Sequence, residues 1–140
     1  MGNRAVITTP EKRIGVYLHW NGGRDSVEAF LTYCRLKGYR DPAEDCYGWA
    51  YLCQVITNYF GDGLSVGIDR YENLDRDNGD NGVYVVKDWR IVKRIYAPSN
   101  EQREYNLLEM LLYIDENQPE NHHLGEEAIR AGLEELDQPF

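Results

Sequence analysis

The sequence lacks an excess of basic charge and any long apolar run. Its 140 residues include 15 Lys and Arg against 24 Asp and Glu, so the formal net charge is −9. Because sequence-independent binding to DNA or RNA depends on cations that neutralise phosphates, this balance argues against direct contact with nucleic acid. It argues equally against an anionic membrane surface. No stretch approaches the ~20 apolar residues of a transmembrane helix, so no membrane partner is expected.

Cysteine is also scarce. Only Cys34, Cys46 and Cys53 occur, and no CxxC pair is present. The odd count excludes a complete disulfide framework, and two cysteines seven residues apart do not make a zinc site. We therefore expect small apolar packing from these side chains, with no metal and no cofactor. The first residues lack the apolar core of a secretory signal, so a reducing, cytoplasmic location is expected.

The acidic charge is distributed unevenly. Residues 1–98 contain 13 acidic and 13 basic side chains, whereas residues 99–140 contain 11 acidic side chains and two basic ones. The whole net charge therefore belongs to the C-terminal part. It is either a solvated face that maintains solubility or a surface complementary to a basic partner. For the second interpretation the proposed contact residues are Glu126, Glu127, Glu134, Glu135 and Asp137.

Apolar periodicity predicts a single α+β domain over residues 1–119, followed by an acidic helical tail over residues 120–140. The predicted strands cover residues 5–9, 14–20, 64–71, 83–87 and 90–97. The predicted helices cover residues 26–37, 46–60, 101–117 and 124–136. The expected N-terminal caps are Asp25, Asp45 and a Ser99–Gln102 capping box.

The resulting order, ββααβββαα, groups the strands instead of alternating them with helices. Such grouping is typical of an α+β fold with a mostly antiparallel sheet, here of about five strands packed against helices. The acidic segment 69–82 does not match the ligand positions of a calcium-binding EF-hand loop. Its two Asn-Gly pairs predict a long hairpin connection instead.

A glycine turn follows the second predicted strand and precedes the first predicted helix; its residues are His19, Trp20, Asn21, Gly22, Gly23 and Arg24. Free N–H groups at a helix N-terminus beside a cation are typical of a phosphate site. However, the spacings of a P-loop and of a dinucleotide fingerprint are both absent. Two alternatives stay open: ordinary turn chemistry, or a contact for a nucleotide, another small ligand or a partner.

No catalytic arrangement emerges from the sequence. Two of the three histidines, His122 and His123, are adjacent on an expected linker, where they cannot both face one site. Pairing His19 with Cys34 or Cys53 would be needed for nucleophilic chemistry, and no spacing supports it. We therefore expect a protein that is not an enzyme.

Aromatic side chains are abundant, with eleven Tyr and three Trp. Tyr and Trp bury a large area at low entropic cost and often anchor interfaces. Tyr47 and Tyr51 are the proposed partner-binding residues of the second helix, together with the glycine turn. A tyrosine-rich core and self-association into a homo-oligomer are the alternatives.

Three segments together resemble a widespread family of short proteins carried by phages, prophages and mobile elements. They are 15–23 (GVYLHWNGG) running into 27–30 (VEAF), 47–50 (YGWA) with 52–56 (LCQVI), and 77–84 (DNGDNGVY). The resemblance covers residues 1–118 and includes similarity to a type II anti-CRISPR inhibitor. It implies a host-defence role in the bacterial cytoplasm, with a CRISPR nuclease as the protein partner. No catalytic residue is implied.

Overall fold

This computed structural model describes residues 2–136 of the chain. They form five strands and four helices, joined by loops and two short turns. The strands are β1 (Ala5–Thr8), β2 (Ile14–Leu18), β3 (Val66–Arg70), β4 (Val83–Lys87) and β5 (Arg90–Ile95). The helices are α1 (Arg24–Leu36), α2 (Tyr47–Phe60), α3 (Leu107–Glu116) and α4 (Glu126–Leu136). The predicted α+β class is confirmed. The element order differs from the predicted one by two short 3₁₀ turns, Tyr71–Asn73 and Glu120–His122.

The strands form one mixed sheet in the order β3-β2-β1-β4-β5. Three of its four pairings are antiparallel, while β1 and β4 run parallel, with Ile7 opposite Tyr84. Because β3 and β4 are separated by two strands, the segment 71–82 crosses the sheet. The expectation of a hairpin connection there is therefore wrong: the Asn-Gly turns lie within a crossover.

The two faces of the sheet pack against different parts of the chain, one against the helices and the other against the crossover 71–82. Ile7, Leu18 and Tyr84 point toward the helices and join their buried side chains in the main core. On the opposite face, Val6, Val83 and Val85 lie beneath the crossover, where Tyr71 is buried and Leu74 packs beside it. Gly15 permits this close approach, since a Cβ there would lie 2.8 Å from Cδ1 of Leu74.

The start of α1 differs from the prediction. The helix begins at Arg24 with Gly23 as its N-cap, so Asp25 lies within the first turn and is not the cap. The buried Asp25 carboxylate accepts hydrogen bonds from the backbone N–H of Ser26 at 2.7 Å and of Tyr105 at 2.8 Å. A side chain suited to local capping is used here for a long-range contact, which the sequence pattern does not show.

The start of α3 is also different, because no helix forms over residues 101–106. Asn106 is the N-cap, and its side chain accepts from the backbone N–H of Glu109 at 3.2 Å. The preceding segment lies on the beginning of α1, where the Gln102 carbonyl accepts from the backbone N–H of Asp25 at 3.3 Å. The predicted Ser99–Gln102 capping box is therefore wrong, because Gln102 forms tertiary contacts.

The α4 helix packs on the core through an apolar stripe. Ile129 is fully buried, and a Cβ added to Gly132 would lie 2.4 Å from Leu36. The buried Asp115 carboxylate accepts from the backbone N–H of Leu124 at 2.7 Å and of Gly125 at 3.0 Å, which fixes the approach to the helix. Within residues 2–136, no helix combines the length and the apolar character needed to cross a bilayer.

Candidate partner-binding site

The glycine turn that was predicted as a binding site is packed against other parts of the protein. Gly22 is buried, its N–H donates to the carbonyl of Asn3 at 2.8 Å, and its carbonyl accepts from the hydroxyl of Tyr84 at 2.7 Å. A Cβ at Gly22 would lie 2.4 Å from the Asn3 carbonyl oxygen, and one at Gly23 would lie 2.6 Å from Gln102. The two glycines are therefore needed for close packing against Asn3 and Gln102.

Arg24 is engaged by two carboxylates. Its Nε lies 2.7 Å from Glu28, and one terminal nitrogen lies 2.7 Å from Glu101. Glu101 also binds Arg94, whose Nε is 2.6 Å away. Burial disfavours the charged form of Glu101, but hydrogen bonds from the two guanidinium groups outweigh it and hold its pKa below the ordinary value. These contacts speak against a phosphate at this turn, because the cation and the helix N-terminus are already occupied.

Asn21 lies close to an open cleft. It adopts a left-handed backbone conformation with φ of 55°, its side-chain amide donates to the hydroxyl of Ser26 at 3.3 Å, and Tyr59 lies nearby. Tyr59 lines a cleft of about 470 Å³ together with Tyr105, Glu109, Met110 and Tyr113. We call these five residues the three-tyrosine cleft. It lies where the end of α2, the segment before α3 and α3 itself come together.

The cleft has a buried floor and exposed walls. Met110 is buried at the bottom, while Tyr105 is 48% exposed and Tyr113 is 62% exposed. Tyr59 is held edge-to-face against Phe30, with ring centroids 5.4 Å apart. Burial raises the pKa of the Tyr59 phenol, so this hydroxyl stays protonated at neutral pH. The result is an aromatic surface that is open to solvent.

His19 and Trp20 occupy the same end of β2 as Asn21. Trp20 is 47% exposed and packs edge-to-face on His19, with ring centroids 5.1 Å apart. His19 Nδ1 in turn lies 3.0 Å from the hydroxyl of Tyr17. Trp20 therefore adds a further exposed ring at the end of the molecule that contains the three-tyrosine cleft.

Tyr47 and Tyr51 belong to a different surface. They lie in the first turns of α2, whose 14 residues span about 20 Å from there to its C-terminal end, near the cleft. The Tyr51 ring stacks on Tyr39 at 4.3 Å, and the guanidinium of Arg40 lies 4.6 Å from the ring centroid of Tyr47. The structure therefore divides the predicted aromatic contact residues into two separate groups.

The acidic contact residues predicted on the C-terminal helix are exposed. Glu126, Glu127, Glu134 and Glu135, here called the α4 glutamates, all face solvent. Glu126 pairs with Arg130 at 3.0 Å, and the other three have no ion-pair partner within the part of the chain described. Asp137 lies outside the described residues.

Two of the three cysteines are poorly suited to nucleophilic chemistry. Cys34 is fully buried in the core, and burial raises the pKa of its thiol far above neutrality. Burial also raises the pKa of the half-buried Cys53 thiol, to about 11. Both groups are therefore protonated at neutral pH, whereas a nucleophilic cysteine is a thiolate.

One acidic group has metal-ligand spacing among residues 2–136. Carboxylate oxygens of Asp41, Glu44 and Asp88 lie within 4.8 Å of one another. One Asp41 oxygen already accepts the backbone N–H of Asp88 at 3.0 Å, which ties the β4–β5 turn to the segment before α2. This contact explains the proximity of the three residues without a bound ion.

The cleft residues were not identified from the sequence as a site. Tyr59 falls in the predicted helix 46–60 and Tyr105 in the predicted helix 101–117, and nothing in their spacing brings the two rings together. The exposed Tyr113 and Glu109 lie on α3, four residues apart, but only the unexpected course of residues 101–106 places Tyr105 beside them. Neither a family model, nor a curated protein, nor a solved structure matches the chain.

Proposed function

We propose that the protein is an anti-defence protein encoded by a phage or another mobile element, and that it inhibits a type II CRISPR nuclease by binding it without catalysis. The observation that supports this most is the arrangement of residues 99–136. The exposed Tyr105 and Tyr113 and the exposed α4 glutamates all belong to this segment, which holds ten acidic side chains against two basic ones.

This arrangement suits a basic protein partner. CRISPR nucleases hold their nucleic acids in positively charged channels. An acidic helix attracts such a surface over several ångströms and accelerates association. Exposed Tyr rings supply short-range affinity, because they are among the side chains most often found at interface hot spots. The resemblance of segments 15–30, 47–56 and 77–84 to mobile-element proteins points to the same class of partner.

The proposal is tested by DNA cleavage with a purified, guide-loaded type II CRISPR nuclease at increasing concentrations of the protein. We expect inhibition that saturates near one protein per nuclease, together with direct binding in a surface-immobilised assay. If no type II nuclease is bound or inhibited at micromolar concentration, the proposal is wrong.

The contribution of charge is tested by changing the four α4 glutamates to Gln. Deleting α4 is unsuitable, because removal of Ile129 would expose the core. We expect the association rate at low salt to fall roughly tenfold and to lose most of its salt dependence. The matched control removes the same charge from exposed carboxylates of the neutral region: Glu11→Gln, Glu44→Gln, Glu72→Gln and Asp77→Asn. An equal effect of both sets would show that the position of the charge is irrelevant.

A further inference from the structure

We propose that the three-tyrosine cleft binds the guanidinium group of an arginine side chain presented by the protein partner. This inference rests on the proposed function, since it names the chemistry through which the partner is held. The cleft combines three aromatic rings, one carboxylate and a buried apolar floor around a volume of about 470 Å³. Aromatic rings around a cavity with an acidic group are a recurrent arrangement for cation recognition.

The rings of the cleft lack a cation of their own. Elsewhere in the described chain an arginine lies over a tyrosine ring in three places: Arg94 on Tyr84 at 3.6 Å, Arg40 on Tyr47 at 4.6 Å and Arg76 on Tyr71 at 5.0 Å. No such contact occurs at the tyrosines of the cleft within residues 2–136, and no Lys or Arg lines it. None of the described residues therefore supplies a cation to these rings, which leaves them available to a cation of another molecule.

The carboxylate of the cleft, Glu109, likewise has no bonding partner among the described residues. Glu109 is exposed, and its side chain has no ion-pair or hydrogen-bond partner among residues 2–136. The stretch of sequence that contains Glu109 is acidic as well, since residues 99–140 contain 11 acidic side chains and only Arg103 and Arg130 as cations. Arg103 pairs with Glu28 at 3.1 Å, and Arg130 pairs with Glu126 on α4. The charge of the cleft is thus complementary to a cationic side chain and is not neutralised internally.

The geometry favours arginine over lysine. A planar guanidinium stacks on an aromatic face and donates to a carboxylate through its edge at the same time. An ammonium is a compact, strongly hydrated charge that loses more hydration in such a site. The buried Met110 floor gives the long arginine stem an apolar surface.

Contacts within the protein hold the cleft in place in the absence of a ligand. The backbone N–H of Tyr105 donates to the buried Asp25 carboxylate at 2.8 Å, which fixes the segment before α3. The Tyr59 ring packs edge-to-face on Phe30, with centroids 5.4 Å apart, and on Phe60, with centroids 5.3 Å apart. Binding an arginine therefore requires little ordering of the cleft, and such preorganisation lowers the entropic cost of association.

The first test uses the free protein and a small probe. N-acetyl-arginine amide is titrated while the tyrosine ring resonances are followed by NMR, and N-acetyl-citrulline amide serves as an uncharged probe of the same shape. We expect the arginine probe to shift the resonances of Tyr59, Tyr105 and Tyr113 with millimolar affinity, and the citrulline probe to bind at least fivefold more weakly. Equal binding of the two probes would overturn the proposal.

Variants then locate the binding. Tyr113→Leu should weaken the arginine probe about fivefold, and Glu109→Gln about threefold, because each removes one attraction to the cation. Tyr96→Leu is the matched control, since Tyr96 is 55% exposed and lies outside the cleft. The inference fails if Tyr113→Leu binds the probe as well as the unmodified protein does.

The nuclease experiment separates this inference from the proposed function. Arginine binding without nuclease inhibition would overturn the function while leaving the cation site intact. Inhibition that Tyr113→Leu and Glu109→Gln do not weaken would overturn the assignment of the cleft to the partner. We expect both variants to raise the inhibitory concentration by the same factors as they weaken the probe.

Discussion

The glycine turn and the three-tyrosine cleft lie at the same end of the molecule, yet their polar and aromatic groups are used in opposite ways. At the turn, Arg24 contacts two carboxylates and Gly22 is packed against Asn3 and Tyr84. In the cleft, Glu109 has no partner and two rings are about half exposed among the described residues. The difference shows that residue type alone does not tell which polar and aromatic groups already have partners within the fold and which remain available for contact with another molecule.

The largest expected difference concerns stability at the turn. Gly22→Ala places a Cβ 2.4 Å from a backbone carbonyl, so the chain must shift and the free energy of unfolding should fall by about 2–3 kcal/mol. Gly67→Ala on β3 is the matched control, because a Cβ there meets no atom within 4 Å. Urea denaturation followed by circular dichroism measures both. Similar midpoints for the two variants would show that the turn is not tightly packed.

The ion-pair network beside the turn should give a smaller, pH-dependent effect. Glu101 has a pKa held below its ordinary value of 4.5 by Arg24 and Arg94. A lowered folded-state pKa adds stability that is fully present above the ordinary pKa and is lost as the pH falls through the lowered one. Removing this carboxylate leaves the largely buried Arg94 without its ion-pair partner, so Glu101→Gln should cost about 1 kcal/mol at neutral pH.

The same variant tests the sign of that dependence. Because the neutral amide has no proton to gain, the stability difference between Glu101→Gln and the unmodified protein should narrow as the pH falls from neutrality to below 4.5. Chemical denaturation at pH 7 and at pH 3 provides the comparison. A difference that is independent of pH would mean that the two guanidinium groups do not stabilise the charged carboxylate.

The sequence predicted the fold class and most strands well because apolar alternation over a few residues is enough to define a strand. It also placed β4 at its observed bounds, Val83–Lys87. It failed where long-range contacts decide the local structure. Gln102 resembles a capping residue, but it contacts Asp25 and leaves residues 101–106 outside α3. The parallel pairing of β1 with β4 could not be predicted either. It depends on the path of the crossover 71–82, which determines where β4 joins the sheet.

The candidate site was only half predictable for the same reason. His19, Trp20 and Asn21 were identified from local turn composition, and they do lie beside an exposed aromatic surface. Tyr105 could not be assigned to that surface, since its position depends on a backbone hydrogen bond to Asp25, 80 residues earlier in the chain. The separation of Tyr47 and Tyr51 from the turn likewise follows from the length of α2.

The smallest expected effect on stability is that of a substitution in the cleft. Tyr113 is 62% exposed, so Tyr113→Leu should change the free energy of unfolding by no more than about 0.5 kcal/mol in urea denaturation. The same change should weaken partner binding, because the exposed ring is free to contact another molecule. A variant with reduced stability and unchanged binding would assign Tyr113 to the fold. Unchanged stability with weakened binding would instead show that the two regions differ in role. Groups at the turn would then stabilise the domain, while groups in the cleft would contact the partner.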